Sequence, residues 1–357
     1  GTVETRVGDE VTPGVRTTPE AVDLQRLLRR MVDAGVRACA MEVTSIGVMQ
    51  GRVDGAWFSV AAFTNLTQDH LDYHGTLEAY YEAKRRLFVP DRAAAAVVNA
   101  GDPWGCRLAA EASASGLPTA TYGIGGEATL VAGDVTYGAA GSSFRARGMG
   151  IDRTLEIRMP GAFNVANALA AAGSAATLGV EPGAIAEGLA ALRGVPGRFE
   201  PVDEGQPFAV VVDYAHTPDG IARVLDAARG IVAPGGRLLA VFGCGGDRDR
   251  AKRPLMGRAA GERADVVVLT SDNPRSEDPS AILDDILPGV EAAPPPGGVR
   301  VVADRAEAIR SAVGEARPGD VVVIAGKGHE TGQEALGVVT PFDDRLVAAA
   351  ALRELAT

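Results

Sequence analysis

The sequence has few cysteines, and their spacing suggests neither a disulfide framework nor a zinc site. Cys39, Cys106 and Cys244 are the three cysteines among 357 residues, an odd count without any CxxC pair. Disulfide-stabilised and zinc-binding domains need paired or closely spaced cysteines. The pattern indicates thiols in a reducing compartment, and we therefore expect a cytoplasmic protein.

Long apolar runs and an excess of positive charge are also missing. No stretch approaches the ~18 apolar residues that a membrane span requires. The opening segment GTVETRVGDE is polar, unlike the apolar region of a signal peptide. The formal net charge of −11 at pH 7 disfavours nucleic acids and anionic membranes as partners, because these select basic surfaces. An anionic ligand would need a local concentration of Arg, Lys and backbone N–H groups.

The chain does contain short apolar runs that alternate with helical patterns, which is typical of a parallel sheet covered by helices. A chain of 357 residues is longer than one core usually supports. The Gly- and Pro-punctuated segment RGVPGRFE (193–200) has the composition of a linker. We therefore predict two domains, over residues 1–196 and 197–357.

The apolar runs predict the positions of the main strands. In the first domain we predict strands over 37–44, 58–66 and 93–100, a helix over 76–88 with Thr76 as N-cap, Gly-rich antiparallel hairpins over about 128–159 and an Ala-rich helix over about 163–178. In the second domain we predict buried strands over 208–214, 237–243, 264–270 and 320–326. Each ends in a polar or Gly-rich turn. Because ligands of open α/β sheets bind beyond the carboxyl ends of strands, we expect a site there.

Polar residues follow two of the predicted strands in the first domain. Glu42 lies near the end of one, and Asp69, His70, Asp72 and His74 follow the next. A carboxylate and an imidazole beside an open loop suit Mg²⁺ that is shared with phosphate oxygens and water. Alternatively, Asp69 caps a turn and the histidines only satisfy local hydrogen bonds.

Lys84 lies beside Arg85 and Arg86 on the predicted helix 76–88. The residues alone favour a solvated basic cluster, because a lysine gains reactivity only when its amine is desolvated or modified.

The segment VFGCGGDRDRAKRPLMG (241–257) combines Gly243, Gly245 and Gly246 with several cations. It is similar to a phosphate-binding turn that leads into a helix, although its spacing is neither GxGxxG nor GxxxxGK[ST]. The alternative is a glycine turn followed by solvated cations. Because three other strands end in the polar turns DYAHTPDG, SDNPRSEDP and GKGHETGQ, we favour a ligand site at this edge.

Ten segments occur in the order found in the Mur ligase family, which the chain resembles from residue 1 to about 355. They are TTPE, MEVTS, TNLTQDHLDYHG, YYEAKRRLF, PGAFNVANALAA, VPGRFE, VVDYAHTPD, FGCGGDRDRAKRPLMG, SDNPR and AGKGHETGQ. The resemblance implies an α/β fold. It consists of a central ATPase-type domain with a mostly parallel sheet and a small antiparallel part, followed by a Rossmann-like C-terminal domain.

The resemblance also implies an activity, that of an ATP-dependent amide ligase acting through an acyl phosphate. The motifs are most similar to those of members that add meso-2,6-diaminopimelate to UDP-N-acetylmuramoyl-L-alanyl-D-glutamate during peptidoglycan biosynthesis. ATP and Mg²⁺ are implied as co-substrate and cofactor, and we expect a monomer. A lysine-adding homologue is the alternative. Lysine-adding relatives, however, have a motif similar to SDNPR in which a small residue replaces the arginine.

The site residues that the resemblance implies fall into four groups. The magnesium ligands and catalytic groups are Glu42, His70 and a carbamylated Lys84, with Lys252 as a cation near the phosphates. Contacts to the uridine-nucleotide substrate match Thr17, Thr18, Ser45 and Arg52, and contacts to ATP match Asn164, Asn167, Arg198 and Asp213. The diaminopimelate pocket matches Arg248, Asp272, Asn273, Pro274, Arg275, Gly326 and Glu330.

The sequence departs from the family pattern in two places. Neither the N-terminal domain that holds the uridine nucleotide nor the family's GxxGK[ST] phosphate loop is present in it. We therefore expect a fragment with a truncated central domain and a complete C-terminal domain, which alone binds ATP poorly. Ile46 stands where relatives usually carry a histidine, and it can neither donate nor accept a hydrogen bond. Both departures favour the alternative of a non-catalytic binding module.

Overall fold

The computed structural model describes residues 1–138 and 141–355. In the first half of the chain the elements are β1 (Glu4–Val7), β2 (Glu10–Pro13), α1 (Ala21–Asp33), α2 (Ser45–Met49), β3 (Ala61–Phe63), α3 (Leu71–His74), α4 (Leu77–Arg85), β4 (Ala96–Asn99), α5 (Pro103–Ala114), β5 (Thr119–Ile124), β6 (Leu130–Gly138), β7 (Gly141–Gly148), β8 (Ile151–Ile157), α6 (Ala162–Thr177) and α7 (Pro182–Ala191).

The second half continues the alternation of strands and helices. Its elements are β9 (Glu200–Pro201), β10 (Ala209–Asp213), α8 (Pro218–Arg229), β11 (Leu238–Phe242), α9 (Lys252–Gly261), β12 (Val266–Leu269), α10 (Pro279–Glu291), β13 (Val299–Val301), α11 (Arg305–Glu315), β14 (Val321–Ala325), β15 (Gly332–Ala335), β16 (Val338–Pro341) and α12 (Asp344–Leu355).

The chain divides into two compact units. The first comprises residues 1–133, 145–154 and 166–187, and the second comprises residues 134–144, 155–165 and 188–357. None of the helices in the described ranges combines the length and the apolarity that crossing a membrane requires.

One six-stranded sheet has the order β3-β4-β5-β6-β7-β8, and its pairs from β3 to β6 are parallel. In the first unit, Phe63, Tyr81, Val98 and Leu108 belong to one buried cluster beneath the sheet. The predicted helix over 76–88 is confirmed as α4, and the Thr76 hydroxyl accepts a hydrogen bond from the Ala79 N–H at 3.1 Å. The hairpins predicted over 128–159 correspond to β6, β7 and β8, which are neighbours in both sequence and sheet.

The strand predicted over 37–44 is wrong, because these residues form no β-ladder. An apolar run forms a strand only where a neighbouring strand satisfies its backbone groups. Here residues 37–40 are exposed instead, so the run does not contribute to the sheet. Glu42 therefore follows an irregular segment rather than a strand.

The second unit is built on a sheet with the order β13-β12-β11-β14-β10-β9. The pairs from β13 to β10 are parallel, and only β9 is antiparallel, at one edge. Alternate residues of β10 face different clusters, since Val211 packs in one and Val210 and Val212 pack in the other. Burial on both faces explains why these strands are continuous apolar runs in the sequence.

The register brings the carboxyl ends of the parallel strands of the second unit to one edge. Asp213, which ends β10, pairs with Ala325 at the end of β14, and Phe242 of β11 pairs with Leu269 of β12. The four polar turns singled out in the sequence therefore leave the sheet at the same edge.

Candidate active site

The turn after β12 is fixed by hydrogen bonds from its asparagine. Asn273 Nδ2 donates to Glu330 Oε2 at 2.9 Å. Asn273 Oδ1 accepts from Lys327 Nζ and from the Glu334 backbone N–H, both at 3.0 Å. One nearly buried amide thus connects the turn after β12 to the turn after β14 and to β15.

Lys327 is fully buried between the two turns. Its Nζ lies 3.1 Å from Glu330 Oε2 and 3.9 Å from Asp272 Oδ1. The side chain of Asp272 also lies against the turn after β14, because a Cβ added at Gly326 would be 2.7 Å from Asp272 Oδ2. Three predicted pocket residues, Asp272, Gly326 and Glu330, are therefore brought together around a lysine that had not been assigned to the pocket.

Arg275 has a left-handed backbone (φ 53°) and is held by the hairpin that follows β14. Its N–H donates to the Glu334 carbonyl at 3.0 Å, and its carbonyl accepts from the Leu336 N–H at 2.7 Å. In the side chain, Nη1 donates to the Gly246 carbonyl at 2.8 Å, and Nε lies 3.2 Å from Glu334 Oε2. The side chain keeps 23% of its surface exposed, so the guanidinium is positioned but accessible.

The glycines after β11 allow the backbone to pass close to the turn after β12. A Cβ at Gly243 would lie 2.0 Å from the Thr270 carbonyl oxygen, and one at Gly246 would lie 1.9 Å from that of Pro274. Any larger residue would push the two turns apart. At Gly245, an added Cβ would lie 3.0 Å from Arg275 Nη1 and 3.8 Å from Arg248 Cγ. The two arginines therefore flank the same glycine.

The residues predicted for ATP occupy different environments. Lys252 Nζ donates to the His216 carbonyl at 2.8 Å, and the Arg198 guanidinium lies 4.6 Å from the centre of the Tyr214 ring. Asp213 is buried and accepts from the Phe199 and Ala215 N–H groups, both at 2.7 Å.

Burial raises the pKa of Asp213, and its two backbone hydrogen bonds oppose this effect. Asn164 is buried at the start of α6, where its Nδ2 donates to the Pro160 carbonyl, whereas Asn167 is exposed.

In the first unit, three of the four residues predicted to contact the uridine-nucleotide substrate, Thr17, Thr18 and Arg52, share one hydrogen-bond network. Thr18 donates to the Glu42 carbonyl at 3.1 Å and accepts from the Thr44 N–H at 2.9 Å. The nearly buried Arg52 donates through Nη1 to the Thr18 carbonyl at 3.0 Å. Thr17 reaches the same region, because its hydroxyl lies 2.9 Å from that of Thr2.

Thr2 also connects this network to Glu42. Its N–H and its hydroxyl donate to Glu42 Oε2 at 2.8 and 2.7 Å.

The residues predicted around the metal surround Tyr80. The His74 ring stacks on Tyr80 with centroids 5.0 Å apart, the His70 ring meets its edge at 6.1 Å, and Lys84 Nζ lies 4.9 Å above its centre. His74 Nε2 is also 2.9 Å from Ser45 Oγ.

Burial lowers the pKa of the Lys84 amine, while the charge of Asp69 raises it. Burial of the ring raises the pKa of Tyr80 to about 12. Glu42, the third residue predicted to hold the metal, differs from His70 and Lys84 because its carboxylate accepts hydrogen bonds from Thr2.

Comparison with known proteins identifies the family. Residues 1–175 match the model of the Mur ligase middle domain, and residues 197–328 match that of the Mur ligase, glutamate ligase domain. The chain belongs to the Mur ligase family. Residues 1–175 and 197–328 together include every predicted site residue except Glu330.

This Mur ligase is similar to curated relatives along nearly its whole length. It is 50% identical over 359 residues to UDP-N-acetylmuramoyl-L-alanyl-D-glutamate–2,6-diaminopimelate ligase from Streptomyces avermitilis, with 99% of this chain and 70% of the relative covered. The enzyme of the same name from Geobacillus thermodenitrificans is 48% identical over 361 residues, with coverage of 99% and 72%. A solved structure of a ligase with that name is 38% identical, with a TM-score of 0.65 over 98% of this chain and 72% of the other.

The described part of this Mur ligase contains no group of three His, Cys, Asp or Glu side chains arranged to hold a metal ion. Mg²⁺ does not require one, because it keeps several waters and commonly binds one or two carboxylates together with substrate phosphates. The Lys84 amine and the His70 ring both lie against Tyr80, and such nitrogen-bearing side chains near one ring suit a site of this kind once the lysine is modified. Burial lowers the pKa of the Lys84 amine, which increases the share of the neutral form that can react with CO₂.

Two supports of the pocket in this Mur ligase were missed in the sequence. The first is the buried Arg253, whose guanidinium donates to both carboxylate oxygens of Glu277 at 2.8 and 3.0 Å and to Asp285 at 2.8 Å. Hydrogen bonding from Arg253 is the main cause that lowers the pKa of Glu277 to about 2. Glu277 in turn accepts from the Asp247 N–H at 2.6 Å, which connects the turns after β11 and β12.

The second missed support is the fully buried pair of Arg305 and Asp344, with two N···O distances of 2.7 Å. Arg305 also donates to the carbonyls of Ser271 and Ala325 at 3.2 and 2.9 Å. These carbonyls immediately precede Asp272 and Gly326. One guanidinium therefore holds the ends of β12 and β14 where both pocket turns begin. Arg305 begins a helix that contains three further charged residues, so the sequence does not distinguish it from the exposed ones.

Proposed function

We propose that this Mur ligase is an ATP-dependent amide ligase that adds meso-2,6-diaminopimelate to UDP-N-acetylmuramoyl-L-alanyl-D-glutamate in peptidoglycan biosynthesis. We further propose a central domain over residues 1–196, a C-terminal domain over 197–357, and a cytoplasmic monomer. Diaminopimelate differs from lysine by a distal carboxylate, so the identity of the incoming amino acid depends on how that group is bound.

The observation that carries this proposal is the environment of Arg275. Its accessible guanidinium can donate charge-assisted hydrogen bonds to the distal carboxylate. Asp272 and Glu330, less than 4 Å from the same buried Lys327, offer carboxylate oxygens to the distal ammonium group. Arg248 flanks Gly245 together with Arg275 and adds positive charge on the carboxylate side. The pocket thus has acidic and basic ends, which suits a zwitterionic side chain.

The reaction proceeds in two steps. A carboxylate oxygen of the muramoyl-peptide substrate attacks the γ-phosphorus of ATP, the bond to ADP breaks, and an acyl phosphate forms. The neutral amine of diaminopimelate then attacks the acyl carbon, loses a proton, and expels inorganic phosphate. Catalysis of such transfers rests on positioning and on charge stabilisation.

We assign Asn164, Asn167, Arg198 and Asp213 to ATP and Lys252 to the phosphates. We assign Thr17, Thr18, Ser45 and Arg52 to the uridine-nucleotide substrate.

Mg²⁺ would be held by His70 and the carbamate of Lys84 together with substrate oxygens, and by Glu42, whose carboxylate would then exchange its hydrogen bonds with Thr2 for the metal. When bound, it supplies positive charge that neutralises the transferring phosphoryl group. The Lys84 side chain contributes a carboxylate only after its neutral amine has added CO₂, and its partly desolvated position favours that neutral form.

Amino-acid-dependent phosphate release by the complete enzyme tests the proposal. We expect release with meso-diaminopimelate and far less with lysine. Arg275→Ala should raise the KM for diaminopimelate roughly 10- to 100-fold, the range expected for losing charge-assisted hydrogen bonds, and leave the KM for ATP unchanged. The exposed Arg310→Ala is a matched control. Equal activity with lysine would favour the lysine-adding alternative, and no turnover with either would favour a binding module.

A further inference from the structure

The guanidinium that we assign to the distal carboxylate already has a carboxylate beside it. Glu334 Oε2 lies 3.2 Å from Arg275 Nε, and the Glu334 side chain is 41% exposed at the pocket edge. A side-chain carboxylate of the protein and the distal carboxylate of the amino acid are the same chemical group. They therefore compete for the positive charge of one arginine.

Arg275 does not depend on the Glu334 carboxylate for its position. Its backbone is held by the Glu334 carbonyl and the Leu336 N–H, and its Nη1 by the Gly246 carbonyl. The strand β15 is fixed separately, because the Glu334 N–H donates to Asn273 Oδ1 and Gln333 Nε2 donates to the Asp272 carbonyl. All of these bonds remain when only the carboxylate of Glu334 is removed.

The other cation in the middle of the pocket cannot take over from Arg275. Lys327 is fully buried and hydrogen-bonded to Asn273 and Glu330. The positive charge of Lys327 is balanced by the Glu330 carboxylate, which we assign to the distal ammonium group of the substrate. Glu334 has its carboxylate 3.2 Å from the Arg275 guanidinium, so it directly reduces the positive charge that Arg275 offers to a bound carboxylate.

We propose that Glu334 is an internal competitor for Arg275 that weakens the binding of diaminopimelate and reduces its discrimination from lysine. This inference rests on the proposed function. Glu334 satisfies Arg275 when the bound amino acid has no distal carboxylate, so lysine leaves no unpaired guanidinium. Specificity is the difference between the binding free energies of diaminopimelate and lysine. Glu334 makes this difference smaller because it weakens the binding of diaminopimelate and removes a penalty for the binding of lysine.

The test compares Glu334→Gln and Glu334→Ala with the wild type on the full chain. We expect the Kd for meso-diaminopimelate, measured by titration calorimetry, to fall about threefold in both variants, which is the size expected for an exposed ion pair. The KM for diaminopimelate in phosphate release should fall similarly, with the KM for ATP unchanged. The gain should shrink at 1 M salt, because salt screens exposed charges. Glu291→Gln removes an exposed charge at the end of α10 and should change neither constant.

A Kd for diaminopimelate that rises or stays constant in both variants would overturn the inference, since Glu334 would then orient Arg275 or have no effect. Thermal unfolding of each variant shows whether the fold is intact. If the wild type already uses lysine as well as diaminopimelate, the proposed function itself fails. If the wild type prefers diaminopimelate and the variants do not bind it more tightly, only the role of Glu334 fails.

Discussion

Two lysines, one in each compact unit, have different surroundings. Lys327 is fully buried, and its Nζ has Asn273 Oδ1 at 3.0 Å and Glu330 Oε2 at 3.1 Å. Lys84 is partly buried with its amine 4.9 Å above the Tyr80 ring, and burial lowers its pKa. A lysine surrounded by acceptors fixes the geometry of a pocket, whereas a lysine against a ring keeps a more reactive amine. The same side chain is thus held by hydrogen bonds in one unit and by burial against a ring in the other.

The largest predicted effect is the loss of stability on replacing Lys327, the lysine that is surrounded by hydrogen-bond acceptors. Lys327→Met leaves the Asp272 and Glu330 carboxylates together without their cation. We expect the free energy of unfolding to fall by about 3 kcal/mol, as when one partner of a buried ion pair is lost. Urea unfolding at pH 7 measures this loss. The double variant Lys327→Met/Glu330→Gln should recover part of the lost free energy of unfolding. If the effects of the two single variants simply add, Lys327 and Glu330 do not interact energetically.

Removing the other lysine should affect activity rather than stability. Lys84→Met should lower phosphate release by about a hundredfold, a size typical for losing one group that stabilises transition-state charge. Its free energy of unfolding should change by less than about 0.5 kcal/mol.

In the wild type, activity should fall in CO₂-depleted buffer and return with bicarbonate. The fall should be greater as the pH decreases, because protonation removes the neutral amine. Activity that is independent of CO₂ would argue against the carbamate.

The smallest effect concerns a carboxylate of the second unit and depends on pH. Glu277 has an ordinary pKa of 4.5 and a folded-state pKa of about 2. Because the folded pKa is depressed, its contribution to stability is fully present above about pH 4.5 and is lost as the pH falls towards 2. Glu277→Gln should therefore cost about 1.5 kcal/mol at pH 7 and progressively less below pH 4.5. A constant difference down to pH 2 would show that the Arg253 contact does not depend on the charge of Glu277.

The sequence predicted the second unit better than the first. Strands β10, β11, β12 and β14 are buried on both faces, so each is an apolar run with a clear end. The turns that follow them could therefore be placed at one edge, together with Asp272, Asn273 and Arg275. The segment 37–44 has a similar apolar pattern but no strand partner, and pattern alone does not reveal whether a partner exists.

The residues that sequence analysis missed act over long separations. Arg305 and Asp344 are 39 positions apart and pair only because α11 and α12 pack on the same face of the sheet. Glu334 reaches Arg275 through a hairpin whose strands are mostly exposed, and exposure gives no apolar periodicity to detect. Such pairs are determined by tertiary packing, which local patterns do not encode.

The buried Arg305 has a consequence for the order of folding. Its counter-ion Asp344 begins α12, and α12 follows all six strands of the second sheet along the chain. During synthesis, the strands can assemble while Arg305 still lacks its carboxylate, and a buried unpaired cation is unstable. The ends of β12 and β14 therefore become fixed only when α12 docks. The turns that begin at Asp272 and Gly326 therefore take their final positions only after α12 has been synthesised and has docked on the sheet.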